Sequence, residues 1–179
     1  MKIGTKSLLW GVHAFWWHPI CVARAWRLLY QRWPSLMEWV SIIVHDWGYW
    51  GCEDMDGKSG KGHPVKGANI ACRLARVYYS GSPNCETFAR YWWAFCAGHS
   101  KSFVRSLEMR TSRLYEADKV ACLMEPVWFY RLRAWLSGEG KEFTENSPMR
   151  GASQKSWFLW YRKKVASEHL LSSDTWDTL

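Results

Sequence analysis

None of the six cysteines of this 179-residue chain forms a CxxC pair. A zinc knuckle and a thioredoxin-type dithiol are therefore excluded. There is no apolar run long enough to span a membrane, no internal repeat and no low-complexity tract. Nowhere do apolar and polar residues alternate long enough to demand a strand. No acid occurs in the first 33 positions, which carry Lys2, Lys6, Arg24, Arg27 and Arg32. That stretch loosely imitates a signal peptide, but His13 and His18 interrupt its apolar part and Arg24 falls within the would-be cleavage site, so secretion is not expected. Cys72, Cys96 and Cys122 lie in apolar helical patterns, where free cysteine acts as a small buried hydrophobe. A reducing, cytoplasmic location is the expectation.

What is present is aromatic, basic and helical. The length suits one domain with a real core. Aromatic residues make up 17%, with 15 tryptophans. Most of these are expected in the core, because a small helical domain must hide so large a side chain. The formal net charge of +8 favours an anionic partner. No nucleic-acid motif accompanies it, so nucleic acid is not favoured over a small phosphorylated molecule. The acids Glu53, Asp54 and Asp56 lack calcium-loop spacing and read as a solvated turn.

Helical periodicity places a first helix over residues 6–17 and a second over 20–32, opened by Pro19. A third begins at the Ser35-to-Glu38 capping box and runs, apolar nearly all round, to His45-Asp46. Gly48 and Gly51 end it. Residues 51–62 form a glycine-rich, charged loop, and His63-Pro64 opens the next helix. Ser82-Pro83 starts a helix reaching Gly98-His99. Thr111 or Ser112 starts one that carries Asp118 and ends before Pro126, and residues 127–136 are helical too. Residues 137–154 read as a linker and 155–171 as a last helix packed on the domain, with a frayed tail. The expected fold is thus all-α: a helical core over 1–136, with a linker and C-terminal helical extension over 137–179.

An ionisable pair at the end of an apolar helix costs free energy unless it has a partner. A divalent metal is one, and imidazole with carboxylate suits iron, manganese, cobalt or zinc. His13 and Asp118 sit on separate apolar helices, while His63 and His99 sit where helices begin or end. His18 and His169 read as surface residues. Along the chain the set is His13, His45-Asp46, His63, His99, Asp118.

That order resembles the HD-domain superfamily of all-helical metal-dependent phosphohydrolases. The resemblance lies in VHDWGYWG at 44–51, GHPVKGANIA at 62–71, GHSKSF at 98–103 and LYEADKVACLMEP at 114–126. In motif order it is similar to the members that cleave symmetrical diadenosine tetraphosphate. It covers roughly residues 8–130. It implies hydrolysis of a nucleotide or related phosphate ester or anhydride, with His13, His45 and Asp118 on one metal, His63 and His99 on a second, and Asp46 bridging. The lysine or glutamate that many members keep after the His-Asp pair is replaced by Trp47-Gly48-Tyr49-Trp50. Lys58, Lys61 or Lys101 would then take the catalytic phosphate contacts, Lys66 would assist in binding substrate, and Trp47, Tyr49 or Trp50 would stack on a base. Two alternatives stay open: an HD-domain diiron oxygenase, which uses the same ligand types, and a nucleotide-binding sensor with a degenerate site.

Overall fold

Apolar residues recurring at helical spacing become helices, and the computed structural model, which describes residues 1–170, is all-α with no strand among them. The helices are α1 (Ile3–Trp10), α2 (His18–Tyr30), α3 (Leu36–Val44), α4 (His63–Tyr78), α5 (Cys85–Ala97), α6 (Lys101–Ser106), α7 (Arg113–Ala121), α8 (Val127–Ser137), α9 (Glu139–Glu145) and α10 (Gln154–His169). Short 3-10 turns cover His45–Tyr49 and Gly60–Gly62. No helix among the described residues is long and apolar enough to cross a membrane.

The main core is shared by α2, α3, α4, α5 and α7. Cys21, Val22, Trp26, Met37, Ile42, Phe95 and Leu114 meet there. Where α4 faces α5 the buried residues are small, with Ala68 and Ala71 meeting Cys96 and Ala97, so the two backbones approach closely. The capping box of α3 forms as expected: the Ser35 amide donates to Glu38 Oε2 at 2.7 Å. Arg32 adds a bidentate pair to the same carboxylate, both contacts at 2.6 Å. This anchors the start of the helix whose other end carries His45.

Three expectations change. The first helix ends at Gly11 rather than running to residue 17, because the chain turns there and the Val12 amide donates to Glu139 Oε1. Residues 137–154 are not a linker. They contain α9 and the fully buried Glu139, which a sequence rich in polar residues and glycine conceals. The tryptophans are also less buried than expected. Among those described only Trp26, Trp92 and Trp157 are buried, while Trp10, Trp16, Trp33, Trp47, Trp50, Trp128 and Trp135 are exposed. Interfaces built from alanine and cysteine leave little room for indole. The last helix packs on α7, α8 and α9 as an extension of the core. Its expected end at Leu171 and the tail lie outside the described residues.

The helix ends create the site. α2 and α4 begin, and α3 and α5 finish, at one end of the bundle, and α7 passes it at Asp118. Two glycines permit this closeness. A Cβ on Gly48 would meet the His63 carbonyl oxygen at 1.9 Å, and one on Gly67 would meet the His45 carbonyl oxygen at 2.4 Å. Both obstacles are backbone and cannot swing away. Gly48→Ala should therefore cost about 1–3 kcal/mol of stability by overpacking. Gly62→Ala, with nothing within 4 Å, should stay within about 0.5 kcal/mol of the parent. Chemical denaturation of the two variants compares them directly, and equal effects would contradict this account.

Candidate metal centre

Four histidines and two aspartates converge at that end of the bundle. One group comprises His18, His45, Asp46 and Asp118, the other Asp46, His63 and His99. Within each, one ligand atom per residue lies within 4.8 Å of the rest. Asp46 belongs to both. Its Oδ2 is 3.4 Å from His18 Nε2 and 3.0 Å from His45 Nε2. Its Oδ1 is 3.8 Å from both His63 Nε2 and His99 Nε2. Asp118 Oδ1 lies 3.0 Å from His18 Nε2 and 3.6 Å from His45 Nε2.

Backbone carbonyls set the histidine tautomers. Nδ1 of His45, His63 and His99 donates to the carbonyls of Ile42, Gly60 and Cys96, at 2.8, 2.8 and 2.7 Å. Each acceptor lies three residues earlier, where a tight helical turn presents it. The hydrogen is thus on Nδ1, and Nε2 is left as the ligating nitrogen. His63 Nε2 and His99 Nε2 stand only 2.9 Å apart. Two lone pairs at that distance repel unless a proton or a cation lies between them.

Electrostatics disfavours the proton. Burial, against the pull of Asp46, lowers the His63 pKa to about 4. Burial, with repulsion from His45 and His63, lowers that of His99 to about 3. The other group behaves oppositely. Burial works against a charged His45, but the carboxylates of Asp46 and Asp118 beside Nε2 outweigh it and push the pKa up to about 10. Burial would raise Asp46, yet the charges of His45 and His13 hold it well below the usual carboxylate range. Asp118 is also held low, with Lys119 the main opponent of burial. Even so, among the described residues His45 Nε2 and Asp46 Oδ2 are buried and 3.0 Å apart without forming a hydrogen bond of good geometry. Bare buried polar atoms are costly, and a divalent cation is a partner that suits nitrogen and oxygen donors together. The residues present fit a metal.

His18, expected at the surface, is buried at the start of α2 and belongs to the metal-capable set. The sequence held a signal for it: His18-Pro19 repeats the His63-Pro64 dipeptide that opens α4. His13, expected as a ligand, belongs to neither group. Its Nδ1 is taken by Ser7 Oγ at 2.9 Å and Glu139 Oε2 at 3.1 Å. Glu139 also accepts from the Ser7 hydroxyl at 2.8 Å, the Ser137 hydroxyl at 2.7 Å and the Val12 amide at 2.6 Å. Burial opposes the charge of Glu139, but these bonds and His13 lower its pKa. His13 still borders the site, its ring centroid 5.5 Å from that of His18 and 5.1 Å from that of Tyr49. His169, the other histidine expected at the surface, is partly buried and pairs with Glu116.

A cavity of about 270 Å³ opens beside the first group, with His13, His18, Asp118 and Lys119 on one side. Lys58, Lys61, Lys66 and Lys101 are exposed and do not line it. The loop over 51–62 is pinned from within: Ser59 Oγ accepts from the amides of Glu53 and Asp54, and Asp54 Oδ1 from that of Gly60. Glu142 of α9 accepts from the amides of Met55 and Asp56. This turns the loop lysines outward. The lysine that faces the cavity is Lys119, half-buried, its Nζ 3.0 Å from Asp118 Oδ2. Of the three expected base-stacking residues, Trp47 and Trp50 are 42% and 61% exposed and lie off the cavity. Tyr49 is buried, lines the cavity and stacks on His63 at 3.9 Å.

Comparison of the chain with family models, curated proteins and solved structures finds no match.

Metal uptake should release protons, because His45 is protonated in the metal-free protein at neutral pH and must lose its Nε2 proton to ligate. His63 and His99 are already neutral there. Calorimetric titration of manganese in buffers of different ionisation enthalpy should show about one proton released near pH 7, with affinity rising with pH. Binding without proton release would contradict the charge state assigned to His45.

Proposed function

We propose that the protein is an HD-type metal-dependent phosphohydrolase acting on a nucleotide or related phosphate ester, with two divalent transition-metal ions joined by Asp46. The observation that carries this reading is the convergence of four imidazoles and two carboxylates at one end of the bundle, with His45 Nε2 and Asp46 Oδ2 buried there without hydrogen-bond geometry. His18, His45, Asp46 and Asp118 would hold one ion, and Asp46, His63 and His99 the other. Two such ions supply Lewis acidity for phosphoryl oxygens and lower the pKa of water.

The chain's own groups complete the chemistry. Burial works against a charged Lys119, but Asp118 keeps it cationic at the cavity wall, where it can hold a phosphoryl oxygen. Glu139 and Ser7 orient His13 through Nδ1. That leaves Nε2 to donate a hydrogen bond or a proton to the leaving oxygen. Tyr49, flat against His63, fixes that imidazole and shields it from water. In this reading Lys119 and His13 take the substrate contacts that the sequence suggested for the loop lysines.

The protein purified and loaded in turn with manganese, cobalt, iron and zinc should hydrolyse at least one member of a nucleotide panel. His45→Ala and Asp46→Ala should lose both metal and activity. His18→Ala should lose at least one metal equivalent, whereas His13→Ala should retain metal and lose turnover by about a hundredfold or more. Elemental analysis alongside phosphate release separates these cases. Oxygen consumption by the iron form with no phosphate release would favour the oxygenase, and nucleotide binding without turnover under every metal would favour a sensor.

A further inference from the structure

The cavity has a second wall that metal binding does not require. Tyr130 of α8, Phe143 of α9, and Trp157 and Tyr161 of α10 line it. These rings are locked by stacking. Trp157 lies between Phe143 and Tyr161, with centroids 5.4 and 5.3 Å away and planes within 19° and 5°. Tyr130 lies flat on the fully buried Phe158 at 3.6 Å. The rings are thus held in place before any ligand arrives.

Among the described residues no side-chain hydrogen bond engages the phenol oxygens of Tyr130 and Tyr161, although Tyr130 is 4% exposed. Neither oxygen is among the fully buried atoms left without a partner, so each is open to the space it borders. Two hydroxyls on the wall of a cavity can find a partner in a ligand that carries carbonyl, ring-nitrogen or hydroxyl groups. Apolar ring surface beside such hydroxyls suits a heteroaromatic group better than a sugar alone.

Charge and size narrow the ligand further. Among the described residues Lys119 is the only lysine or arginine lining the cavity, whereas Asp56, Asp118 and Glu125 all line it. One phosphate at the Lys119 end is matched. A chain of phosphates running along the cavity would meet carboxylates. The volume of about 270 Å³ falls just below the span of ordinary ligand pockets, about 300–1,000 Å³, which suits a small ligand.

We propose that α8, α9 and α10 hold the organic half of the substrate, and that the substrate is a nucleoside monophosphate. The phosphate sits by His18, Asp118 and Lys119, and the base lies among Tyr130, Phe143, Trp157 and Tyr161. In the reaction a water oxygen bonds to phosphorus and the ester P–O bond breaks. The leaving oxygen takes up a proton, giving a nucleoside and inorganic phosphate. This assignment rests on the phosphohydrolase reading and narrows it. Two nucleosides joined by four phosphates, the substrate class suggested by motif order, exceed both the volume and the charge of this cavity.

The test uses the manganese-loaded full chain and compares kcat/KM for a nucleoside monophosphate, the matching triphosphate and glycerol phosphate. The monophosphate should exceed the triphosphate by about tenfold or more. Tyr130→Phe and Tyr161→Phe, which keep the ring and remove the hydroxyl, should each lower the monophosphate-to-glycerol-phosphate ratio by about fivefold, with full metal content. If glycerol phosphate and the nucleotide fall together, or the triphosphate is preferred, the aromatic wall is not the base site although the hydrolase reading survives. If none of the three esters turns over with any of the four metals, both readings fail.

Discussion

The carboxylate of Asp46 sits where the ends of four helices meet, buried, with one oxygen toward His18 and His45 and the other toward His63 and His99. Its charge cannot remain there without a compensating cation. In the metal-free protein that role falls to protonated imidazole, chiefly His45. Much of the architecture serves this requirement. Gly48 and Gly67 let the His45–Tyr49 turn and α4 close on each other. The capping box and Arg32 anchor α3 at its far end, and backbone carbonyls three residues upstream aim three of the imidazoles inward.

Around this centre the chain builds a second polar network of a different kind. Glu139 is fully buried, yet four donors from Ser7, Val12, His13 and Ser137 satisfy its two oxygens. Nearby, Arg133 pairs with Glu125 and donates to the carbonyls of Gly11 and Val12. These contacts tie the turn after α1 to α8 and α9. Both oxygens of Glu139 are engaged there, although Arg133 Nε is not, whereas in the His-Asp centre His45 Nε2 and Asp46 Oδ2 face each other at 3.0 Å without hydrogen-bond geometry. The hold of Ser7 and Glu139 on Nδ1 explains how one histidine, His13, stands beside the metal-capable set without joining it.

The C-terminal helices wall the cavity beside the centre. Its walls include Tyr130, Phe143, Trp157 and Tyr161. A residue from the extension, Glu142, also pins the 51–62 loop through the amides of Met55 and Asp56. The extension therefore shapes the loop as well as the cavity, although its sequence reads as a polar linker followed by one more helix.

Several features were readable from residue order alone. Helical periodicity, the Ser35-to-Glu38 capping box and the absence of alternating segments determined an all-α chain, since these depend on neighbours three or four positions away. The His-Asp pair at the end of an apolar helix, with His63 and His99 at helix ends and Asp118 on a further helix, marked out a metal-capable cluster, because ionisable groups in apolar helices need partners. Which histidines complete it was a matter of tertiary structure. His13 and His18 lie five residues apart, and only the turn at Gly11 and the reach of Glu139 across 126 residues divert one and leave the other. The same holds for Lys119 against the loop lysines, and for Tyr130 and Tyr161 against Trp47 and Trp50. Local pattern shows that a side chain can do chemistry, but which cavity it enters depends on how distant helices pack, and that information is spread over the whole fold.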